Sequence, residues 1–190
     1  MNFKKHSELI DQHAFLSPSK HHWINYDVDK MSRTYVNHLG VEMGTRLHKI
    51  ASELINLKIT LPHKKGALAN YVNDCINDNM VSEQPLYYSN NCFGTADAIS
   101  FENNYLKIYD LKTGISSPSI NQLRIYAALF CLEYSKDPHT IIIELRIYQK
   151  EKPILKEISD PDEIVRIMDQ IILCDDIIEN IKASGEIHYE

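Results

Sequence analysis

Apolar residues recur at helical spacing in the first part of the chain. They fall three and four residues apart over residues 43–57 and again over residues 68–80. This spacing gathers the apolar side chains on one face of a helix. Pro62 ends the first of these helices, and Ser17 followed by Pro18 is typical of an earlier helix start. The pattern therefore predicts a mostly helical region over residues 1–80.

The pattern changes to extended segments after residue 80. Short runs rich in β-branched and aromatic residues, bounded by turn residues, predict strands. A helix that is apolar nearly all round follows Ser117 and Pro118, and such a helix is expected to be buried against a sheet. The predicted strands are residues 81–89, 93–101, 105–112, 140–148 and 154–158.

The last helix is predicted from its start signal and from a stripe of isoleucines. Asp160 is followed by Pro161 and Glu163, an acidic cap with proline in the first turn. From Ile164 to Ile181 the apolar residues alternate at steps of three and four, as in a heptad seam. The stripe either packs on the sheet or forms the coil of a dimer, and both interpretations stay open here.

Together these elements predict an α/β fold with a small central mixed β-sheet flanked by helices. The length of 190 residues is typical of one domain. We therefore expect a single domain over residues 1–190. It would comprise a helical part over 1–80, an α/β core over 81–160 and a C-terminal helix over 161–183.

Charge and cysteine content narrow the classes of function. With 20 basic and 26 acidic residues, the formal charge of −6 argues against a protein that coats duplex DNA non-specifically. The four cysteines are scattered without a CxxC pair, so we expect no iron–sulfur cluster. No apolar stretch reaches the length of a membrane span and no signal-peptide region follows the start, which predicts a cytoplasmic protein with no membrane partner.

Two aspartates and a lysine stand out in the predicted hairpin. Asp110 and Lys112 point the same way along one strand, and Asp97 lies on the neighbouring strand. Carboxylates about 4 Å apart repel each other, and a divalent cation relieves that repulsion. The pattern suits a Mg²⁺ or Mn²⁺ site with a free lysine beside it, although an ordinary exposed ion pair would show the same tripeptide.

The following helix carries Gln122 and Tyr126, four residues apart on one face. A glutamine amide can orient a water or a phosphate, and a tyrosine can stack on a base or donate to a phosphate. The alternatives are that Gln122 caps the helix locally and that Tyr126 belongs to the core.

The ordered set of these motifs resembles a known family, the RecB-like branch of the PD-(D/E)XK nuclease superfamily. This branch includes phage and recombination exonucleases and the CRISPR adaptation nucleases. Its pattern places a Gly-x-x-x-His helix before a Gly-x-x-Asp strand, an Asp-x-Lys strand and a Gln-x-x-x-Tyr helix. Here the motifs are Gly44 to His48, Gly94 to Asp97, Asp110-Leu111-Lys112 and Gln122 to Tyr126.

The resemblance implies a restriction-endonuclease-like core and a role for each matching residue. His48, Asp97 and Asp110 would bind the metal, with the backbone carbonyl of Leu111 completing the site. Lys112 would be the catalytic lysine. Gln122 and Tyr126 would support it and contact the DNA.

The function implied is a Mg²⁺-dependent deoxyribonuclease, more typically an exonuclease, that acts in DNA recombination or repair without a helicase domain. A phage is one candidate origin. Its partner would be DNA, as a single strand or a duplex end, and a recombinase or annealing protein or a second copy of the chain are further candidates. Two alternatives stay open. One is a structure-specific endonuclease, and the other is a non-catalytic DNA-binding or assembly module of the same fold.

Overall fold

The computed structural model describes residues 4–9, 12–62, 66–114, 117–150 and 152–184. The chain divides into two compact units, with the boundary between Met43 and Gly44. Helix α1, Val28–Asn56, contributes its first part to one unit and its second part to the other.

The first unit contains two 3-10 segments, Ser7–Leu9 and Pro18–Asn25, before α1 begins. The predicted helix start at Ser17 is confirmed, although the helix that follows is of the 3-10 type. The ring of Phe15 lies 5.0 Å from the rings of both Tyr35 and His38, measured between centroids. These aromatic contacts fasten residues before Pro18 to the first part of α1.

The second unit has the predicted α/β fold, with a central mixed sheet flanked by helices. The bounds of every predicted strand lie within two residues of the observed ones. After α1 the elements are α2 Ala67–Asn77, β1 Val81–Ser89, β2 Cys92–Glu102, β3 Tyr105–Lys112, α3 Asn121–Glu133, β4 Ile142–Gln149, β5 Leu155–Ile158 and α4 Pro161–Ser184.

The strands lie in the order β1-β2-β3-β4-β5. Strands β1, β2 and β3 form an antiparallel meander, β4 pairs parallel to β3, and β5 pairs antiparallel to β4. Parallel neighbours need a crossover connection, and α3 supplies it. This crossover places the first turn of α3 just beyond the end of β3.

Helices cover both faces of the sheet. Along β3, Leu106 and Ile108 point to the face covered by α3 and α4, which we call the α3 face. Tyr109 and Leu111 point to the opposite face, covered by α2 and the second part of α1, which we call the α1 face. The alternation follows from the two-residue repeat of a strand.

The isoleucine stripe of α4 packs on the α3-face core over its first half only. Ile164 is fully buried, and Ile167 and Ile171 pack against the same core. Further along the helix, Ile178 and Ile181 are 37% and 52% exposed. The start of the stripe is therefore packed in the α3-face core, with α3 as the main neighbour of α4, and a dimer contact stays a prediction for its end. Within the described ranges, no helix is both long and apolar enough to cross a membrane.

Candidate metal centre

The predicted site residues gather where β2 and β3 separate. The last paired residues of the two strands are Ala98 and Tyr109, and Asp97 and Asp110 come next on either side. The N–H of Leu111 donates a hydrogen bond to Oδ2 of Asp97 at 3.1 Å. The Asp97 carboxylate therefore stands in the gap between the strands, in place of a backbone partner.

An irregularity in β1 aims a further carboxylate at the same place. Glu83 has a φ of 53°, in the left-handed region, and lies between Ser82 and Gln84, which pair with Ala98 and Ala96. Glu83 thus lies opposite Asp97. A non-glycine residue in this conformation is strained by about 1–3 kcal/mol, and such strain is often found at functional sites.

Both strands change sides at this point. The hydroxyl of Ser82 lies 2.8 Å from the hydroxyl of Ser52 on α1, whereas Leu86 belongs to the α3-face core. Residues four apart in a regular strand share a face, so the strand is irregular between them, although the pairing register is the same on both sides of Glu83. In β2 the same change separates Ala96, in the α3-face core, from Ala98, in the α1-face core.

Helix α1 brings His48 to these carboxylates. Its Nδ1 lies 3.2 Å from Oδ2 of Asp97. One ligand atom from each of His48, Glu83 and Asp97 lies within 4.8 Å of the others. One turn earlier, a Cβ on Gly44 would lie only 2.7 Å from Oγ1 of Thr113. The glycine therefore allows α1 to approach the end of β3 closely.

The charges of this group act on one another. The hydrogen bond to Asp97 raises the pKa of His48, although partial burial opposes the rise. Desolvation and the negative charge of Asp97 raise the pKa of Glu83.

Glu83 was not among the site residues predicted from the sequence. Pairing residues 81–89 against 93–101 would have placed it opposite Asp97, but the register was not readable without the turn geometry.

Asp110 is the most deeply buried member of the site, with 5% of its side chain exposed. Its Oδ1 accepts a hydrogen bond from Lys112 Nζ at 2.9 Å, but its Oδ2 is buried and has no hydrogen-bond partner among the described residues. Burial, reinforced by Asp97, raises the pKa of the Asp110 carboxyl. Asp110 is therefore not part of an exposed ion pair.

A hydrogen-bonded chain connects β3 to α3. Lys112 Nζ donates to Oε1 of Gln122 at 2.8 Å, and Gln122 Nε2 donates to Oη of Tyr126 at 3.3 Å. Gln122 thus contacts the lysine through its side chain instead of capping its own helix. A Cβ on Gly94 would lie 3.0 Å from the Tyr126 ring, so this glycine makes room for the tyrosine.

Leu111 lies on β3 between Asp110 and Lys112. Its side chain is 3% exposed and belongs to the α1-face core, and its N–H is bonded to Asp97. That its carbonyl completes a metal site stays a prediction.

The side chains fit a divalent cation by two independent observations. Hard cations prefer carboxylate oxygens, which Glu83, Asp97 and Asp110 offer, and a histidine is compatible with Mn²⁺. A buried carboxylate oxygen without a hydrogen-bond partner is expensive, and a cation is the natural partner for Oδ2 of Asp110.

Comparison with known proteins adds no family assignment. No family model matches the sequence, and no curated protein matches it significantly. Among solved structures, one described as "Crystal structure of SSO0001" is 15% identical over 75% of this chain and 64% of that chain, with a TM-score of 0.35. This chain thus spans less than two-thirds of that structure's length.

Proposed function

We propose that the protein is a divalent-metal-dependent deoxyribonuclease of the RecB-like branch of the PD-(D/E)XK superfamily. The observation that carries the proposal is the buried Asp110, whose Oδ2 has no hydrogen-bond partner among the described residues. Asp97 lies on the neighbouring strand, and Lys112 donates to both Asp110 and Gln122. His48, Glu83, Asp97 and Asp110 would hold the ion. When bound, Mg²⁺ or Mn²⁺ would neutralise charge on a phosphate and lower the pKa of a water.

Lys112 is the residue best placed to act on the scissile phosphate. An ammonium group has three donors, and two are directed to Asp110 and Gln122. The remaining donor can reach a phosphate oxygen or a water. Because both partners fix the position of Nζ in advance, it can stabilise negative charge that develops in the transition state.

Gln122 and Tyr126 continue the hydrogen-bonded chain that begins at the Lys112 ammonium group. Gln122 orients the lysine through its oxygen and binds Tyr126 through its nitrogen. Since the Tyr126 hydroxyl accepts that bond, its own proton is available for a phosphate oxygen. Tyr126 therefore adds a second donor on the substrate side of α3.

Metal-dependent cleavage tests the proposal. Purified protein is expected to degrade linear DNA with Mg²⁺ or Mn²⁺ and to stop with EDTA. Lys112→Ala should lower the rate about 10²–10³-fold while DNA binding persists. The matched control is Lys107→Ala, since Lys107 is on the same strand and pairs with Asp78 away from the metal centre. Cleavage in EDTA, or full activity of folded Lys112→Ala, would overturn the mechanism.

The preference for ends is tested with substrates of different topology. An exonuclease digests linear DNA and leaves closed circular single strands intact. Equal cutting of closed circles would favour the endonuclease alternative. If neither substrate is cut with either metal, the non-catalytic module becomes the better explanation.

A further inference from the structure

One row of residues on helix α1 runs across the ends of three strands of the sheet. The members of the row are four residues apart, so they are neighbours on the helix surface. They are Gly44, His48, Ser52 and Asn56. Gly44 lies close to Thr113, just after β3, and His48 contacts Asp97 of β2. The last two residues of the row contact Ser82 of β1.

The side chains of Ser52, Asn56 and Ser82 form a closed ring of hydrogen bonds, which we call the polar ring. The Ser82 hydroxyl donates to Oδ1 of Asn56 at 3.1 Å, and Nδ2 of Asn56 donates to the Ser52 hydroxyl at 3.5 Å. Each hydroxyl has one proton, so Ser52 donates in the 2.8 Å bond between the two serines. Ser82 is only 8% exposed, and the polar ring therefore fixes its side chain against α1.

Ser82 and Leu86 are buried on opposite faces of the sheet, which a regular strand does not allow. The polar ring holds Ser82 on the α1 face, and Leu86, 1% exposed, belongs to the α3-face core. Residues four apart in a regular strand point to the same face. The backbone between these two anchors must therefore depart from the regular conformation, and Glu83 does so with its left-handed φ of 53°.

The left-handed conformation sets the direction of the Glu83 side chain. In a regular strand, the residue after Ser82 would point to the opposite face, away from α1. Instead, a carboxylate oxygen of Glu83 lies within 4.8 Å of a ligand atom of His48 and of Asp97. Glu83 is itself exposed, so burial of its own side chain does not keep it there. What keeps it there is the backbone, which is held at Ser82 and Leu86.

We propose that Ser52, Asn56 and Ser82 are positioning residues for the metal centre, because the polar ring keeps Glu83 in the conformation in which it can bind the ion. The inference rests on the proposed function, in which Glu83 is one of the candidate ligands. One row of α1 then supplies one ligand, His48, and fixes a second ligand on β1. Ligands held in advance bind an ion more tightly, because the backbone does not rearrange when the ion arrives.

Calorimetric titration of the metal-free protein with Mn²⁺ tests the polar ring. Ser52→Ala and Ser82→Ala are each expected to weaken Mn²⁺ binding roughly 10-fold. The matched control is Ser159→Ala, since Ser159 is also buried, at 6% exposed, and donates to Glu157 outside the metal centre. Its affinity for Mn²⁺ should equal that of the wild type. Unchanged affinity in both polar-ring variants would overturn the proposal.

A double substitution separates positioning of Glu83 from a general effect on the metal centre. In a Glu83→Ala background the polar ring has no carboxylate to position, so the addition of Ser82→Ala should cause no further loss of Mn²⁺ affinity. A further loss of roughly 10-fold in that background would overturn the proposal, because the polar ring would then act on the metal centre without Glu83.

The melting temperature of the metal-free protein reports on the backbone at residue 83. Glycine adopts a left-handed φ without strain, whereas in a regular strand it is less stable than alanine. Glu83→Gly should therefore melt at a higher temperature than Glu83→Ala. This advantage of glycine should be lost when Ser82→Ala is also present, because the strand can then become regular. An equal advantage in both backgrounds would overturn the role of the polar ring.

The two proposals fail in different ways. If the wild-type protein binds Mn²⁺ but does not cleave DNA, the nuclease proposal fails while the Mn²⁺ titrations still test the polar ring. If the wild-type protein cleaves DNA and the polar-ring variants bind Mn²⁺ normally, only the positioning proposal fails. A wild-type protein that binds no Mn²⁺ would overturn both.

Discussion

Two buried carboxylates on neighbouring strands have opposite environments. Asp110 on β3 and Glu144 on β4 have 5% and 2% of their side chains exposed. Glu144 is bonded from all sides by Tyr105, Tyr109, Arg146 and Lys156. Asp110 has Lys112 on one oxygen and no hydrogen-bond partner on the other among the described residues.

The difference is visible in the pKa of each group. Burial alone would raise the pKa of Glu144, but the hydrogen bonds from Tyr105 and Lys156 and the charge of Arg146 lower it to about 2. Burial and Asp97 raise the pKa of Asp110 instead. A buried charge whose partners are all present serves the fold, whereas a buried charge without them indicates a ligand.

The largest expected effect is the loss of DNA cleavage caused by the substitution Asp110→Asn. The change removes a charged candidate metal ligand and the partner of Lys112, so cleavage should fall to background. The unfolding free energy without metal should change by no more than about 1 kcal/mol, because a poorly paired buried charge is removed too. Cleavage assays and denaturant titration check the two parts. A large loss of unfolding free energy would contradict this, because it would mean that the Asp110 charge stabilises the fold as the Glu144 charge does.

Glu144→Gln should have the opposite effects, with a large loss of stability and no change in cleavage. Removing one partner of a buried ionic network leaves the cationic groups of Arg146 and Lys156 uncompensated, and we expect a loss of about 3–5 kcal/mol in unfolding free energy. The cleavage rate per folded molecule should remain that of the wild type. Denaturant titration measures the loss, with Lys152→Ala as a control for a lysine outside the cluster.

The stability of the wild-type protein should fall in acid. A folded pKa of about 2, below the ordinary 4.5, means that Glu144 stabilises the fold above pH 4.5 and that this stabilisation is lost as pH falls toward 2. Such a shift corresponds to about 3 kcal/mol. Thermal unfolding at several pH values should show this loss. In Glu144→Gln the acid dependence between these pH values should be correspondingly smaller.

His48→Ala and Glu83→Gln test the edge of the metal centre. Each removes one candidate ligand of several, so the affinity for Mn²⁺ should fall roughly 10–100-fold. Excess Mn²⁺ should partly restore cleavage. Calorimetric titration with Mn²⁺ measures the affinity, and His38→Ala serves as the control histidine, since it lies earlier on α1 beside Glu42. An unchanged affinity in Glu83→Gln would remove Glu83 from the ligand set.

The smallest effect is expected for Tyr126→Phe. The ring stays against Gly94, and only the hydroxyl that accepts from Gln122 is lost. A single hydrogen bond of this kind is worth about 1 kcal/mol, or roughly a fivefold change in rate. Steady-state kinetics would detect it. A loss as large as that of Lys112→Ala would mean that the hydroxyl stabilises the transition state as strongly as the lysine does.

The local sequence pattern was sufficient to predict the strands and to bring together most residues of the candidate metal centre. Asp97, Asp110 and Lys112 could be placed because strand alternation and a short turn bring them to one end of a hairpin. Glu83 could not, because its orientation depends on a positive φ, and no residue type at this position signals that conformation. Glu144 was also missed, since a single glutamate in an isoleucine-rich strand gives no sign of the partners that other elements bring to it.

The predicted start of α1 was wrong. The apolar spacing placed a helix from residue 43, whereas α1 begins at Val28. Residues 28–42 are largely polar and exposed, so their helix lacks the buried stripe on which a periodicity argument depends.

The parallel pairing of β3 with β4 has a consequence for the order of folding. Strands β1 to β3 are neighbours joined by short turns, so they can pair while the rest of the chain is still open. The pairing of β4 requires the whole crossover through α3 to close first. We therefore expect Asp97 and Asp110 to meet early, and the Glu144 cluster and the Gln122–Tyr126 side of the site to assemble late.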